Sequence, residues 1–277
     1  MEKFFEPDDV KNLRVCGKTL LMGIVNVTPD SFSDGGKFFS PETALAHAKK
    51  LVDDGADILD IGAESTRPEA VPISVDEELS RLEKILPALK NFDVPISVDT
   101  YKPEVAAEVL SWGADIINDV HGLEDSRMID VAKKFDAPVV AMHSDKCCDV
   151  DIVEDVKKFF RRTLANCAAR GFDTTKIIFD PGIGFGKTQE ENLTILQRLG
   201  ELKTLDGQKL PLLLGVSRKS FIGWATGLEL DERDAATGAL CVWAITKGVD
   251  ILRVHNVELI RKMCLMTDRL LKEASFS

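Results

Sequence analysis

Apolar and polar positions along this chain alternate between two regimes. Short β-branched runs recur, and each is followed by a longer amphipathic stretch rich in Glu, Lys, Ala and Leu. The first pattern predicts buried strands and the second predicts helices with one apolar face. Eight short runs can be counted: Thr19–Val27, Ile58–Ala63, Pro95–Asp99, Asp115–Val120, Pro138–His143, Lys176–Asp180, Leu212–Val216 and Ile251–His255. Strand and helix in regular alternation predict a parallel sheet with helices outside, and eight parallel strands predict a closed α/β fold, the (β/α)8 TIM barrel.

Helix boundaries are legible as well. Ser40-Pro41 places a capping residue before a proline suited to the first helical position, Lys102-Pro103 opens a helix the same way, and Gly55, Gly113 and Gly171 stand where helices should stop. An open, doubly wound sheet is the alternative, but the turn Asn26 to Asp30 lacks the glycine fingerprint expected after its first strand. No internal repeat, low-complexity segment or linker interrupts the chain. Residues 1–18 are therefore expected to form a leading segment and residues 19–277 a single barrel domain.

Length and composition narrow the functions available. A chain of 277 residues, 44% of them apolar, can fill one such barrel, which typically needs about 250 residues. Acidic residues outnumber basic ones 46 to 35 and no stripe of Lys or Arg is present, so a small molecule is expected as partner rather than nucleic acid. Cys16, Cys147, Cys148, Cys167, Cys241 and Cys264 show no C-x-x-C spacing and read as reduced thiols. Charges at Glu2, Lys3, Glu6, Asp8 and Asp9 exclude a signal peptide, and no apolar run of membrane-spanning length occurs, so a cytoplasmic protein with no membrane partner is expected.

Candidate chemistry lies at the strand ends. Asn26, Asp60, Asp99, Asn118, His143, Asp180, Ser217 with Lys219, and Arg253 with His255 fall at or just past the C-terminal ends of the eight runs, the rim on which barrels of this kind carry their active sites. One Asp at a strand end is more often a turn residue or helix cap than a ligand-binding group. Eight coincidences in register favour a site. Asp99, Asn118 and Asp180 would point inward and need donors, which a ligand rich in N–H groups would supply. Arg67, Arg218, Lys219, Arg253 and His255 make the same rim cationic in a protein of net charge −11, which points to an anionic substrate.

Two other motifs fail on spacing. Asp180-Pro-Gly-Ile-Gly-Phe-Gly-Lys187-Thr188 ends like a phosphate-binding P-loop, yet Pro181 stands where the first glycine belongs and Lys187 where a dinucleotide fingerprint needs its third. Histidines 47, 121, 143 and 255 are scattered, with no zinc-binding spacing, which leaves room for a magnesium ion with few protein ligands.

The chain resembles the dihydropteroate synthases. Gly23-Ile-Val-Asn26-Val-Thr-Pro-Asp30-Ser-Phe-Ser-Asp34-Gly-Gly36 is similar to their opening signature. Further matches are Glu64-Ser-Thr-Arg67-Pro68, Ser97-Val-Asp99-Thr, Ile117-Asn118-Asp119-Val, Asp180 to Lys187, Ser217-Arg-Lys219-Ser-Phe-Ile-Gly223 and Arg253-Val-His255. The resemblance implies a homodimeric barrel enzyme that condenses 6-hydroxymethyl-7,8-dihydropterin diphosphate with 4-aminobenzoate, giving 7,8-dihydropteroate and diphosphate in folate biosynthesis.

It also implies residue roles. Asp99, Asn118, Met142, Asp180 and Lys219 would hold the pterin. Asn26 would ligate magnesium, and Asn26, Thr66, Arg67, Arg253 and His255 would bind the diphosphate. Arg67, Pro68, Phe185, Lys187 and Ser220 would receive the arylamine, and the loop of Asp34 would close over the site with that of Arg67. Asn26, Asp34, Arg67, Lys219, Arg253 and His255 would form the catalytic set.

Some positions depart from the family pattern. Met142-His143-Ser144-Asp145-Lys146-Cys147-Cys148 replaces an expected Met-His-Met followed by Gly and Pro, and Ala63 and Glu69 stand where glycine is common. The Met142-His143-Ser144 stretch is similar to that of some sulfonamide-insensitive relatives, whereas Glu64 to Pro68 and Gly182 to Lys187 resemble the sensitive kind. A pterin-binding methyltransferase of the same fold would keep the carboxylates but has no use for Arg253 and His255, and Asp119-x-His121 is followed by Glu124 where a corrinoid signature needs glycine. A non-catalytic binding barrel would not need the full set of rim residues.

Overall fold

The computed structural model describes residues 18–28, 41–65, 70–145 and 151–274. In chain order the elements are β1 (Leu20–Asn26), α1 (Pro41–Asp53), β2 (Ile58–Gly62), α2 (Val75–Leu82), α3 (Leu86–Leu89), β3 (Ile96–Asp99), α4 (Pro103–Ser111), β4 (Ile116–Asp119), α5 (Arg127–Phe135), β5 (Val139–Met142), α6 (Ile152–Ala169), β6 (Ile177–Asp180), α7 (Gln189–Gln197), β7 (Leu213–Leu214), α8 (Ser220–Thr226), α9 (Arg233–Thr246), β8 (Ile251–Val254) and α10 (Val257–Ala274). Helices α1 and α4 begin at Pro41 and Pro103, as their sequences predict. The leading segment up to residue 17, Ser40, Cys16, Cys147 and Cys148 lie outside the described residues.

The eight strands form one parallel sheet in the order β6-β5-β4-β3-β2-β1-β8-β7. Its ends meet where Phe179 bridges Leu212 and the Phe179 amide donates to the Pro211 carbonyl at 2.9 Å, so the barrel closes on a single bridge. The seventh run is shorter than expected, Leu213–Leu214 rather than Leu212–Val216. Leu212 at its start gives its N–H to the Asp250 carboxylate at 2.8 Å instead of to a ladder. A small hairpin, Thr204–Leu205 paired with Gln208–Lys209, precedes it and was not foreseen.

Both faces of every strand are buried, in two separate cores. Leu20, Met22, Ile58, Ile116, Val140, Ile178, Leu213 and Ile251 fill the barrel interior, while alternate residues such as Leu21, Val25, Leu59, Ile61, Ile117 and Phe179 pack outward against the helices. The two-residue period of a strand thus sorts one apolar run onto two surfaces.

At the N-terminal end of the barrel a local device recurs. After three helices, a glycine in the left-handed region (Gly55, Gly113, Gly248) is followed two residues later by Asp57, Asp115 or Asp250. Each of these carboxylates accepts a main-chain N–H from the neighbouring strand: Leu21 at 2.8 Å, Ile96 at 2.9 Å and Leu212 at 2.8 Å. Hydrogen bonds to a charged group stabilise by about 1.5–3 kcal/mol. The floor is pinned by aspartates in this way, and the opposite rim keeps its polar groups for other work. Among the described residues no helix is long and apolar enough to cross a membrane.

Candidate active site

Strand register assembles the site. Asn26, Gly62, Asp99 and Asn118 are successive register partners on β1 to β4 and form one row along the C-terminal rim. Met142 pairs in register with Asp180 across β5 and β6. Arg253, on β8, reaches across this mouth: its Nε donates to Asp60 Oδ2 at 2.6 Å and an Nη2 proton goes to Asp99 Oδ2 at 2.8 Å. The Asn118 amide also donates to Asp60 Oδ2, at 3.1 Å. Among the described residues Asp60 Oδ1, Asp99 Oδ1 and Ser97 Oγ remain buried without a partner. Such groups are costly inside a protein unless a donor arrives.

Across the mouth, Asp180 Oδ1 accepts from the Gly182 amide at 2.7 Å. Lys219 donates to the Ile183 carbonyl and lies 4.6 Å over the Phe185 ring. A side chain at Gly215 would stand 3.9 Å from Asp180 Oδ2, from Lys219 Nζ and from Arg253 Cβ, so this glycine keeps the floor between them open. His255 Nδ1 is 2.9 Å from Ser217 Oγ, which holds the imidazole beside the ends of β7 and β8.

Burial tunes these groups. It pushes the Asp99 carboxyl up to about 7, with Arg253 opposing and Asp60 reinforcing the rise. Asp180 is raised for the same reason, against the pull of Lys219. Burial lowers Lys219 to about 8, an effect that Asp180 opposes and the cations Arg253 and Lys187 add to. Asp99 and Lys219 thus stand close to the point where each can hold or release a proton.

The loop after β6 is welded to the loop after β5. Gly182 has φ of +70°, and a Cβ there would fall 1.9 Å from the His143 carbonyl oxygen. Lys187 Nζ donates to the carbonyls of His143 at 2.9 Å, Phe185 at 3.0 Å and Gly182 at 3.1 Å. All three of its protons are thereby engaged by main chain, which explains why a P-loop-like sequence is not one here. His143 Nε2 stands 3.4 Å from Asp155, but burial, aided by Lys187 and Arg162, pushes the imidazole down to about 3, so the ring is neutral. Phe185 is half-buried and borders a cavity of about 460 Å³ rather than filling the core. Ser220 is exposed at the first position of α8.

Asp34, Thr66, Arg67, Pro68 and Glu69 lie outside the described residues. Arg218, counted among the rim cations from sequence, is instead committed to a bidentate pair with Asp234 at 2.6 and 2.8 Å, and Asn256 donates to the same carboxylate. Asp119 accepts from the His121 and Leu123 amides and shapes a turn.

A cluster that sequence reasoning missed lies beside the rim. Lys102 donates to Glu64, to Glu78 at 2.6 Å and to the Ile73 carbonyl at 2.8 Å, while the Tyr101 hydroxyl donates to Glu64 at 2.7 Å. Tyr101 stacks on His121 with centroids 4.1 Å apart, and both line the 460 Å³ cavity. These partners are 24 to 38 residues apart, so no local pattern announces them.

Fold and site together define a barrel enzyme whose C-terminal mouth gathers buried carboxylates beside cationic side chains. Residues 22–255 match the family described as pterin binding enzyme. The dihydropteroate synthase of Bacillus subtilis (strain 168) is 46% identical over 259 residues, covering 92% of this chain and 90% of that protein. A solved dihydropteroate synthase from Clostridium difficile, crystallised in the presence of pteroic acid, superposes with a TM-score of 0.87 at 46% identity, covering 91% of this chain and 97% of that one. The Xanthomonas albilineans enzyme with 4-aminobenzoic acid gives 0.86 at 39% identity, covering 92% and 93%. The chain belongs to the pterin binding enzymes and, within them, to the dihydropteroate synthase family.

Proposed function

We propose that this chain is the transferase that joins 6-hydroxymethyl-7,8-dihydropterin diphosphate to 4-aminobenzoate, releasing diphosphate and 7,8-dihydropteroate. The observation that carries the reading is the row of buried acceptors facing cations across one mouth, with Asp99 Oδ1 lacking any partner among the described residues. A relative crystallised in the presence of pteroic acid and another with 4-aminobenzoic acid support the choice of substrates.

In this reading Asp99 and Asp180 accept from the amino and ring N–H groups of the pterin, Asn118 offers its carbonyl oxygen, and Lys219 donates to the pterin carbonyl or a ring nitrogen. Met142 supplies an apolar contact beside Asp180. Arg253 and His255 take the diphosphate, with Asn26, Thr66 and Arg67. The bond from the exocyclic carbon to the diphosphate oxygen breaks with its electron pair leaving on oxygen, and the ring stabilises the cation that remains. The arylamine nitrogen then attacks that carbon and its surplus proton passes to water. No strong general base is required. Stabilising the departing charge and excluding water are the tasks left to the protein.

Magnesium fits this end of the barrel. Asn26 offers a hard amide oxygen beside Gly62, where the absence of a side chain leaves the space next to Asp99 open. Among the described residues no three His, Cys, Asp or Glu side chains gather as a metal cluster, so water and diphosphate would complete the shell. Bound there, the ion would neutralise leaving-group charge.

For the arylamine, Phe185 and Pro68 would form the walls, with Arg67 and Ser220 near its carboxylate. Lys187 would act through the loop it holds. Asp34 would belong to the closing loop. Residues 19–277 would act as one domain, and two copies would form a homodimer.

Purified protein given magnesium, the pterin diphosphate and labelled 4-aminobenzoate should yield dihydropteroate and diphosphate, and Asp180→Ala should abolish turnover. A sulfonamide should compete with 4-aminobenzoate in the same assay. Binding of a pterin without product would move the reading to a methyltransferase or a non-catalytic binder.

A further inference from the structure

Asp60 takes no part in the chemistry above, yet it is the most deeply placed charge-bearing side chain of the mouth. It lies fully buried on β2, two residues below Gly62 and therefore one layer beneath the rim row. Its register partner on β3 is Ser97, also fully buried, so this layer holds no water-facing group to justify a carboxylate. An acidic side chain at such depth is expensive unless it does something a leucine could not.

A single oxygen of that carboxylate, Oδ2, receives Arg253 Nε at 2.6 Å and Asn118 Nδ2 at 3.1 Å. These partners come from β8 and β4, 193 and 58 residues away, on different sides of the mouth. Each contact decides which atoms its donor has left. Held through Nε and one Nη2 proton, the guanidinium is fixed in plane across the mouth and keeps Nη1 for a ligand. Held through one N–H of its NH2, the Asn118 amide is fixed with its carbonyl oxygen, an acceptor, left for a ligand.

We propose that Asp60 is a positioning residue that presets the pterin and diphosphate contacts together, by orienting Asn118 as an acceptor and Arg253 as a bridge. The inference rests on the synthase reading. It adds that the two recognition elements are coupled through one carboxylate, so disturbing it should damage pterin binding and diphosphate departure at once while sparing the arylamine.

The test uses steady-state kinetics on the whole chain with both substrates varied. Asp60→Asn should lower kcat and raise the KM for the pterin diphosphate, a combined loss of roughly tenfold or more, because small misplacements at a reacting centre are amplified. The KM for 4-aminobenzoate should stay within twofold. In an Arg253→Met background the same substitution should still raise the KM for the pterin diphosphate through Asn118 but change kcat little, since the guanidinium it positions is gone. Equal losses of kcat in both backgrounds, or a parallel rise in both KM values, would show a merely structural role and overturn the proposal.

Should Asp60→Asn not fold, Asp60→Glu keeps the charge and shifts it by one methylene. Unchanged kcat and KM in that variant would equally sink the idea, whereas the split loss would support it. If the unmodified protein makes no dihydropteroate, the synthase reading itself fails. If it turns over and Asp60 proves indifferent, only the positioning role is lost.

Discussion

Two groups at the mouth change charge close to neutrality. The Asp99 carboxyl, raised to about 7, becomes a full acceptor above that pH, and Lys219, lowered to about 8, stops being a cationic donor above that one. For the free enzyme, kcat/KM for the pterin diphosphate should therefore be a narrow bell, falling below about 7 as Asp99 takes a proton and above about 8 as Lys219 loses one. A profile level from pH 6 to 9 would remove both from pterin recognition. The rim residues were legible because inward parity and strand ends can be read from a run of apolar residues, as at Val98-Asp99 and Phe179-Asp180. The part Lys187 plays in pinning two loops was not, because the His143 carbonyl that helps hold it lies 44 residues away and carries no side-chain signature. Arg218 misled for a similar reason: its claim on Asp234 depends on how α9 is laid against the end of β7.

Among the elements, the loop after β6 should be the least forgiving of added bulk. Gly182→Ala meets two obstacles: a left-handed backbone, which costs a residue with a side chain about 1–3 kcal/mol, and a carbonyl oxygen 1.9 Å from the new methyl. Urea unfolding should show a loss above the backbone figure alone. A loss below about 1 kcal/mol would mean that the loops after β5 and β6 can separate cheaply. Element order and most boundaries followed from pattern, since seven of the eight strands occupy most of the runs foreseen. The hairpin at 204–209 escaped because its two-residue arms are too short to show a period. Its turn, Asp206-Gly207 with φ of +49° and +86°, was nonetheless a readable hairpin signal.

At the scale of the molecule, the proposed homodimer needs an apolar surface. Leu265 and Met266 are each 60% exposed and Leu270 56% exposed on α10, the last helix, which packs against α9. Sedimentation should show a dimer at micromolar concentration, and Leu265→Glu should shift it toward monomer without loss of fold. A monomer in the unaltered protein would remove the pairing.

The closure of the barrel has its own consequence. Seven neighbouring strand pairs are joined by ladders, but β6 and β7 meet only where Phe179 bridges Leu212. Asp180 follows directly on one side of that gap, and Lys219 lies just beyond the other. A pterin held by both would act as a rivet through the barrel's weakest joint. Breathing of the empty barrel and release of its ligand would then share one motion, and amide exchange at Phe179 would report on both.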